Sequence, residues 1–224
     1  YGSDERTLLC LVGLKILKEQ MPMIFITGDC HGNFERFNPS IFPEQKEMTK
    51  EDYVIICGDF GGVWHKDEES PEETMVLDWL DSMPFTTLFV CGNHENFDRL
   101  YQYPVEDWHG GKVHKIRDSV LHLMRGQVFE IEEKKIFSFG GASSHDIQGG
   151  VLEPDDPEFE KKYATLSRGY LPFRINHWSW WKQELPSEEE MEEGRQNLEK
   201  DRGIREIVKY GIAFAGKNVE IAIG

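Results

Sequence analysis

The 224-residue chain has no apolar run near the roughly 20 residues that cross a bilayer, which excludes an obvious membrane-spanning helix. It has only four cysteines, Cys10, Cys30, Cys57 and Cys91, and no CxxC pair among them. That excludes a small disulfide scaffold and a thiolate zinc knuckle, and a reducing cytoplasmic setting is expected. Positive charge is scarce. Lys and Arg total 25 against 41 Asp and Glu, a formal net charge of -16, and no basic cluster interrupts it. This balance argues against a large nucleic-acid footprint and against an anionic membrane surface. The early apolar stretch Leu8–Leu14 follows Asp4, Glu5 and Arg6 and lacks a small-residue cleavage site, so it is not read as a signal peptide. Repeats and low-complexity tracts are absent. Hydrophobic residues at 39% and aromatics at 12% suffice for one globular domain with a sizeable core.

Three stretches organise the chain. Residues 1–20 read as an amphipathic helix, with Leu8, Leu11, Val12 and Ile16 near helical spacing, forming an N-terminal extension. Residues 21–200 read as the domain. Short apolar runs at Met23–Thr27, Tyr53–Cys57 and Thr87–Cys91 alternate with helical segments, one near Phe34–Phe37 and one over Pro71–Asp81 with Ser70 as N-cap. That alternation predicts an α/β fold with βαβ units around a buried sheet. Four further runs, Val113–Ile116, Val120–Met124, Gln127–Ile131 and Lys135–Phe139, predict a second sheet on the first. Residues 150–186 are rich in Pro, Trp and charge and predict an irregular excursion. Ser187 and Glu190 form a capping box at the start of a charged helix to Lys200. Residues 201–224 read as a divergent tail, with strands at Ile207–Ala215 and Asn218–Ile223 around Gly216-Lys217.

Each of the first three strands ends in a polar cluster: Gly28-Asp29-Cys30-His31-Gly32, Gly58-Asp59-Phe60-Gly61-Gly62, and Gly92-Asn93-His94-Glu95. Open α/β sheets bind ligands at such carboxyl ends. Each cluster sets a glycine before a ligand-type side chain, so the backbone can turn sharply and approach a metal or phosphate closely. Asp29 and His31, two apart in an extended strand end, point to one side and can share a metal. Asp59 can bridge two metals through its two oxygens, and Asn93 offers a neutral carbonyl oxygen. Oxygen and imidazole donors suit Mn, Fe or Zn. One such cluster is more often a turn or cap; three, each after its own strand and about 30 residues apart, point to a metal site.

Asp29-x-His31, Gly58-Asp59 and Gly92-Asn93-His94-Glu95 together resemble the calcineurin-like metallophosphoesterase superfamily. Gly140-Gly141-Ala142-Ser143 and Trp180-Trp181 followed by Glu184 are similar to its small bacterial members. The resemblance implies a four-layer αββα sandwich of two mixed sheets and a pair of divalent metal ions. Asp29 and His31 would hold the first ion, Asp59 would bridge, and Asn93 would hold the second. His94 would act on the leaving-group oxygen as proton donor or transition-state stabiliser. The implied reaction is hydrolysis of a small phosphomonoester or phosphodiester by a metal-bound hydroxide.

Two departures qualify the resemblance. Gly61-Gly62-Val63-Trp64 stands where the protein Ser/Thr phosphatase branch has an Asp and an Arg, so a bidentate phosphate clamp and a partner for His94 are missing there. The family also has a later His and a Gly-His-x-His pair, whereas no histidine follows His177. Either the family pattern stops near Lys200 and unrelated sequence follows, or the site is completed differently. His145 and His177 are the candidate substitutes, each read first as a hydrogen-bonded structural or loop histidine. His65, His109, His114 and His122 read as surface or half-buried. The cysteines beside the motifs and the tryptophans Trp178, Trp180 and Trp181 read first as packing residues. The competing reading is a truncated or degenerate fold relative with weak metal binding; a nuclease or an interaction module using the Trp-rich excursion are further alternatives.

Overall fold

A computed structural model describes residues 22–131, 134–201, 206–208 and 212–214. The expected helix over residues 1–20 and the strand at 218–223 lie outside them. Three parallel strands come first: β1 (Ile24–Gly28), β2 (Tyr53–Cys57) and, after helix α1 (Pro71–Asp81), β3 (Thr86–Val90). Their registers pair Gly28 with Cys57 and Cys57 with Val90, so all three polar clusters leave the sheet at one edge. The short helix α2 (Phe97–Leu100) then leads to β4 (Val105–Trp108), β5 (Gly111–Arg117) and β6 (Val120–Leu123).

These last three strands join the first sheet. β6 runs parallel beside β3 through Thr87–Val120, Leu88–Leu121 and Phe89–His122, and β5 and β4 follow antiparallel, giving the order β1-β2-β3-β6-β5-β4. The second sheet is therefore smaller than the strand count predicts. Among the described residues it is the antiparallel pair β7 (Gln127–Ile131) and β8 (Lys134–Ser138).

Alternation along the strands explains the layers. Val54, Ile56 and Phe89 face α1, where Leu77 and Leu80 close one core. Tyr53, Ile55, Leu88 and Val90 face the other way, onto Phe129, Ile131 and Ile136 of β7 and β8. The outer side of that pair, with Phe137, receives Leu198 of α4 (Glu188–Lys200). Helix, mixed sheet, second sheet and helix thus stack as the αββα class requires. Both N-caps are as read: Ser70 and Ser187 each accept from the backbone three residues on and close capping boxes with Glu73 and Glu190. The segment Glu35–Phe37 is a single 3-10 turn, too short to propagate as an α-helix.

The excursion is more ordered than its composition suggests. It holds β9 (Val151–Leu152), helix α3 (Phe159–Leu166) and β10 (Arg174–Ile175), with β10 parallel to β9. Its charge and proline content hid elements that are short and only partly buried. At the tail, β11 (Glu206–Val208) pairs antiparallel with β12 (Ile212–Phe214), where the sequence predicts a single run Ile207–Ala215; the expected turn at Gly216-Lys217 lies outside the described residues.

Candidate metal centre

The three loops after β1, β2 and β3 are tied to one another by backbone. Cys30 and His31 donate their N–H groups to the Asp59 carbonyl at 3.0 and 2.7 Å, and Gly32 donates to Phe60 at 2.9 Å. Phe60 is fully buried and stacks on Phe89 with centroids 4.0 Å apart, which pins the second loop to the core. Glu95, also fully buried, accepts from the N–H groups of Phe60 and Gly61. Burial lifts its carboxyl to about 8 against those two hydrogen bonds. Gly92 is required sterically: a Cβ there would stand 2.0 Å from Asp59 Oδ1.

Asp59 is the hub. Its Oδ1 accepts from the backbone of Asn93 at 3.0 Å and of His94 at 3.1 Å. Its Oδ2 lies 3.1 Å from His94 Nδ1 and 3.4 Å from His31 Nε2. Burial alone would raise this carboxyl; the His94 side chain and the two N–H donors outweigh that and hold it at about 2. The ligand-type atoms of His31, Asp59 and His94 all lie within 4.8 Å of one another. Asp29, His31 and Asp59 share a left-handed backbone, φ 48° in each, a conformation non-glycine residues seldom adopt away from functional sites.

Of the sequence-derived ligands, His31 and Asp59 fall in this compact group and His94 joins them. Asp29, exposed just past β1, does not belong to it. Asn93 sits beside Asp59 with its amide NH2 donating to Ser144 Oγ at 3.2 Å, which presents the carbonyl oxygen as its ligand-type atom. His145 is exposed and joins no group of potential ligands among the described residues. His177 is engaged elsewhere, with Nδ1 2.6 Å from Asp98 Oδ2, and lines a separate cavity of about 900 Å³. The missing partner for His94 is supplied by Asp59 itself. Burial pushes the Cys30 and Cys91 thiols up to about 11, away from thiolate ligation. Trp181 is fully buried and donates to Asp98, a packing role.

Two residues escaped sequence reasoning. Arg174 of β10 brings Nη2 to 3.3 Å from His94 Nε2, and Asp146 holds that guanidinium through both carboxylate oxygens. They are 80 and 52 residues from His94 and fit no local motif. His114 and His122, read as surface or half-buried, are both buried and share a 2.9 Å contact across the β5–β6 register. A cavity of about 400 Å³ lies beside the hub, lined by His31, Gly61, Trp64, His65, Glu72 and His94.

Two imidazoles and a carboxylate converge after parallel strands, beside a cavity, and this donor set fits a divalent ion of nitrogen and oxygen preference. The comparisons agree. The calcineurin-like phosphoesterase model matches residues 22–213, and the chain belongs to that family. It is similar to lariat debranching enzyme A of Xenopus laevis, 27% identical over 143 residues, covering 58% of this chain and 26% of that protein. It is also similar to the lariat debranching enzyme of Danio rerio, 25% identical over 150 residues, 60% of this chain and 25% of that protein. The match thus spans about a quarter of these relatives. No solved structure matches the chain significantly. No helix among the described residues is long and apolar enough to cross a membrane.

Proposed function

We propose that this metal-dependent phosphoesterase hydrolyses a small phosphomonoester or phosphodiester. The observation that carries this reading is the convergence of His31 and His94 on Asp59. In it, Asp29, His31, Asp59 and Asn93 hold two divalent ions, with manganese a suitable occupant. When bound, such ions supply Lewis acidity to the phosphate oxygens and activate the attacking water. Asp59 keeps its negative charge across the physiological range and orients His94 through Nδ1. His94 then has Nε2 for the leaving-group oxygen, as proton donor or transition-state stabiliser. The cavity toward Trp64 and His65 takes the substituent on phosphorus. The debranching activity named for the two relatives stays with them, since the match covers about a quarter of each. The buried thiols of Cys30 and Cys91 suit a cytoplasmic setting.

A second reading is a degenerate member with weak metal binding. It draws on the three-residue core and on His145 and His177 standing outside it. Hydrolysis of p-nitrophenyl phosphate and its bis ester in Mn²⁺ separates the two, with Asp59→Asn as control. The proposal expects metal-dependent turnover that Asp59→Asn lowers at least about 100-fold. Turnover no greater than that of the variant would establish the degenerate reading instead.

A further inference from the structure

The geometry points to Arg174, braced by Asp146 against His94, as the oxyanion-binding residue of this site, donating from Nη1 and Nη2 to a phosphate oxygen beside His94. The inference rests on the phosphoesterase reading and adds to it a binding group from the distant excursion.

Three observations converge. First, the side chain is placed deliberately. Arg174 N donates to Gly150 O at 3.2 Å, β10 is paired in register to β9, and Asn176 bridges to Trp180. Asp146 then engages both Nε and Nη2, fixing the plane of the fork. A planar, two-point brace of this kind orients the remaining donors with little loss of rotamer freedom.

Second, donors are left over. A guanidinium has five N–H groups and no acceptor. Asp146 takes one from Nε and one from Nη2. Nη2 retains another beside His94 Nε2, and Nη1 has no protein partner among the described residues. Nη2 and His94 Nε2 thus meet on the side of the ring away from Nδ1, which faces Asp59. Arg174 Nη2 can donate to His94 Nε2 when that nitrogen carries no proton; when it does, an anionic oxygen within reach of both nitrogens accepts from each. Charge-assisted contacts of that kind are the strong class of hydrogen bond.

Third, the cavity itself carries no cation, and Arg36, at the first motif, is spent on the backbone carbonyls of Gly28 and Asp29. The second motif carries Gly61-Gly62-Val63-Trp64, and the cavity beside the hub is lined by Glu72 and Glu73 with no Lys or Arg. In a chain of net charge -16, a phosphate anion needs local positive charge beyond the metals. Arg174 is only 19% exposed at its side chain, so its field is less screened than that of a surface arginine.

The test is titration of the full chain with inorganic phosphate, followed by calorimetry in saturating Mn²⁺, for the wild type, Arg174→Gln and Arg174→Lys. Mn²⁺ affinity is measured alongside. The expected result is a loss of phosphate affinity of about tenfold or more in Arg174→Gln and an intermediate loss in Arg174→Lys, with Mn²⁺ affinity held within about twofold. Phosphate binding equal in wild type and Arg174→Gln, no phosphate binding by the wild type, or a parallel fall in Mn²⁺ affinity would each overturn it. Should Arg174→Gln fail to fold, Arg174→Lys decides: weakened phosphate with intact Mn²⁺ binding supports the assignment, and wild-type phosphate affinity overturns it. Ester turnover is scored separately. Arg174-dependent phosphate binding without turnover would sink the phosphoesterase reading and keep the subsite. Turnover with phosphate binding indifferent to Arg174 would do the reverse.

Discussion

The loops after β1, β2 and β3 and the excursion that follows the second sheet both reach His94, and they are held by different means. The loops are short, glycine-bracketed and cross-tied: Asp59 O holds Cys30 and His31, and Glu95 holds Phe60 and Gly61, with β2 and β3 buried on both faces and β1 half-buried beside them. The excursion is anchored at a few points. Glu184, fully buried, accepts from the N–H and hydroxyl of Ser144, and Ser144 touches Asn93. Arg174 and Asp146 add one ion pair. Rigid strand ends suit groups that must meet an ion within tenths of an ångström. A longer segment can carry the residues that meet a variable substrate.

The comparison can be broken most severely at Gly92. In Gly92→Ala the added methyl meets Asp59 Oδ1 and its backbone nitrogen, and overpacking there costs about 1–3 kcal/mol. Because the displaced group is the hub itself, both Mn²⁺ affinity and ester turnover should collapse. Calorimetry with a turnover assay checks this; wild-type Mn²⁺ affinity in Gly92→Ala would show that the loops yield more than their cross-ties imply.

A milder break lies on the other side, at Glu184→Gln. Its carboxyl oxygens accept two hydrogen bonds from Ser144, and weakening buried hydrogen bonds to a charged group costs about 1.5–3 kcal/mol. Denaturant unfolding should show that loss, while Mn²⁺ affinity falls only several-fold through the looser Asn93. A full loss of Mn²⁺ binding would mean the excursion holds the metal centre as firmly as the loops do.

The scaffold beneath both regions has its own weakness in acid. Burial lowers His114 to about 4 and His122 well below the usual value, so the unfolded chain binds protons first. Stability contributed by the neutral pair is complete above the unfolded pKa near 6.5 and is lost as pH falls toward 4; at pH 5 His114 alone accounts for about 2 kcal/mol. The thermal midpoint should drop between pH 7.5 and 5, and less so in His114→Phe. An equal drop in both would assign the acid sensitivity to other groups.

Much of this molecule was legible in the chain. The three strands, both N-caps and the three polar clusters follow from patterns spanning a few residues: β-branched runs, a Ser before a helical run, a glycine before an Asp. Such features are decided by local sterics and hydrogen bonding, and they place Asp59, His31 and His94 at one sheet edge. Other features needed the third dimension. Partner choice for β6, which joined the first sheet, turns on which long-range pairing buries most surface. The meeting of His114 with His122 turns on cross-strand register. Arg174 reaches His94 only because β10 docks beside β9 and Asp146 fixes its fork, an encounter across 80 residues that no local spacing encodes. The sequence alone determined which residues could bind a metal; the tertiary structure decided which arginine stands beside them, because contacts between distant segments depend on how the whole chain packs.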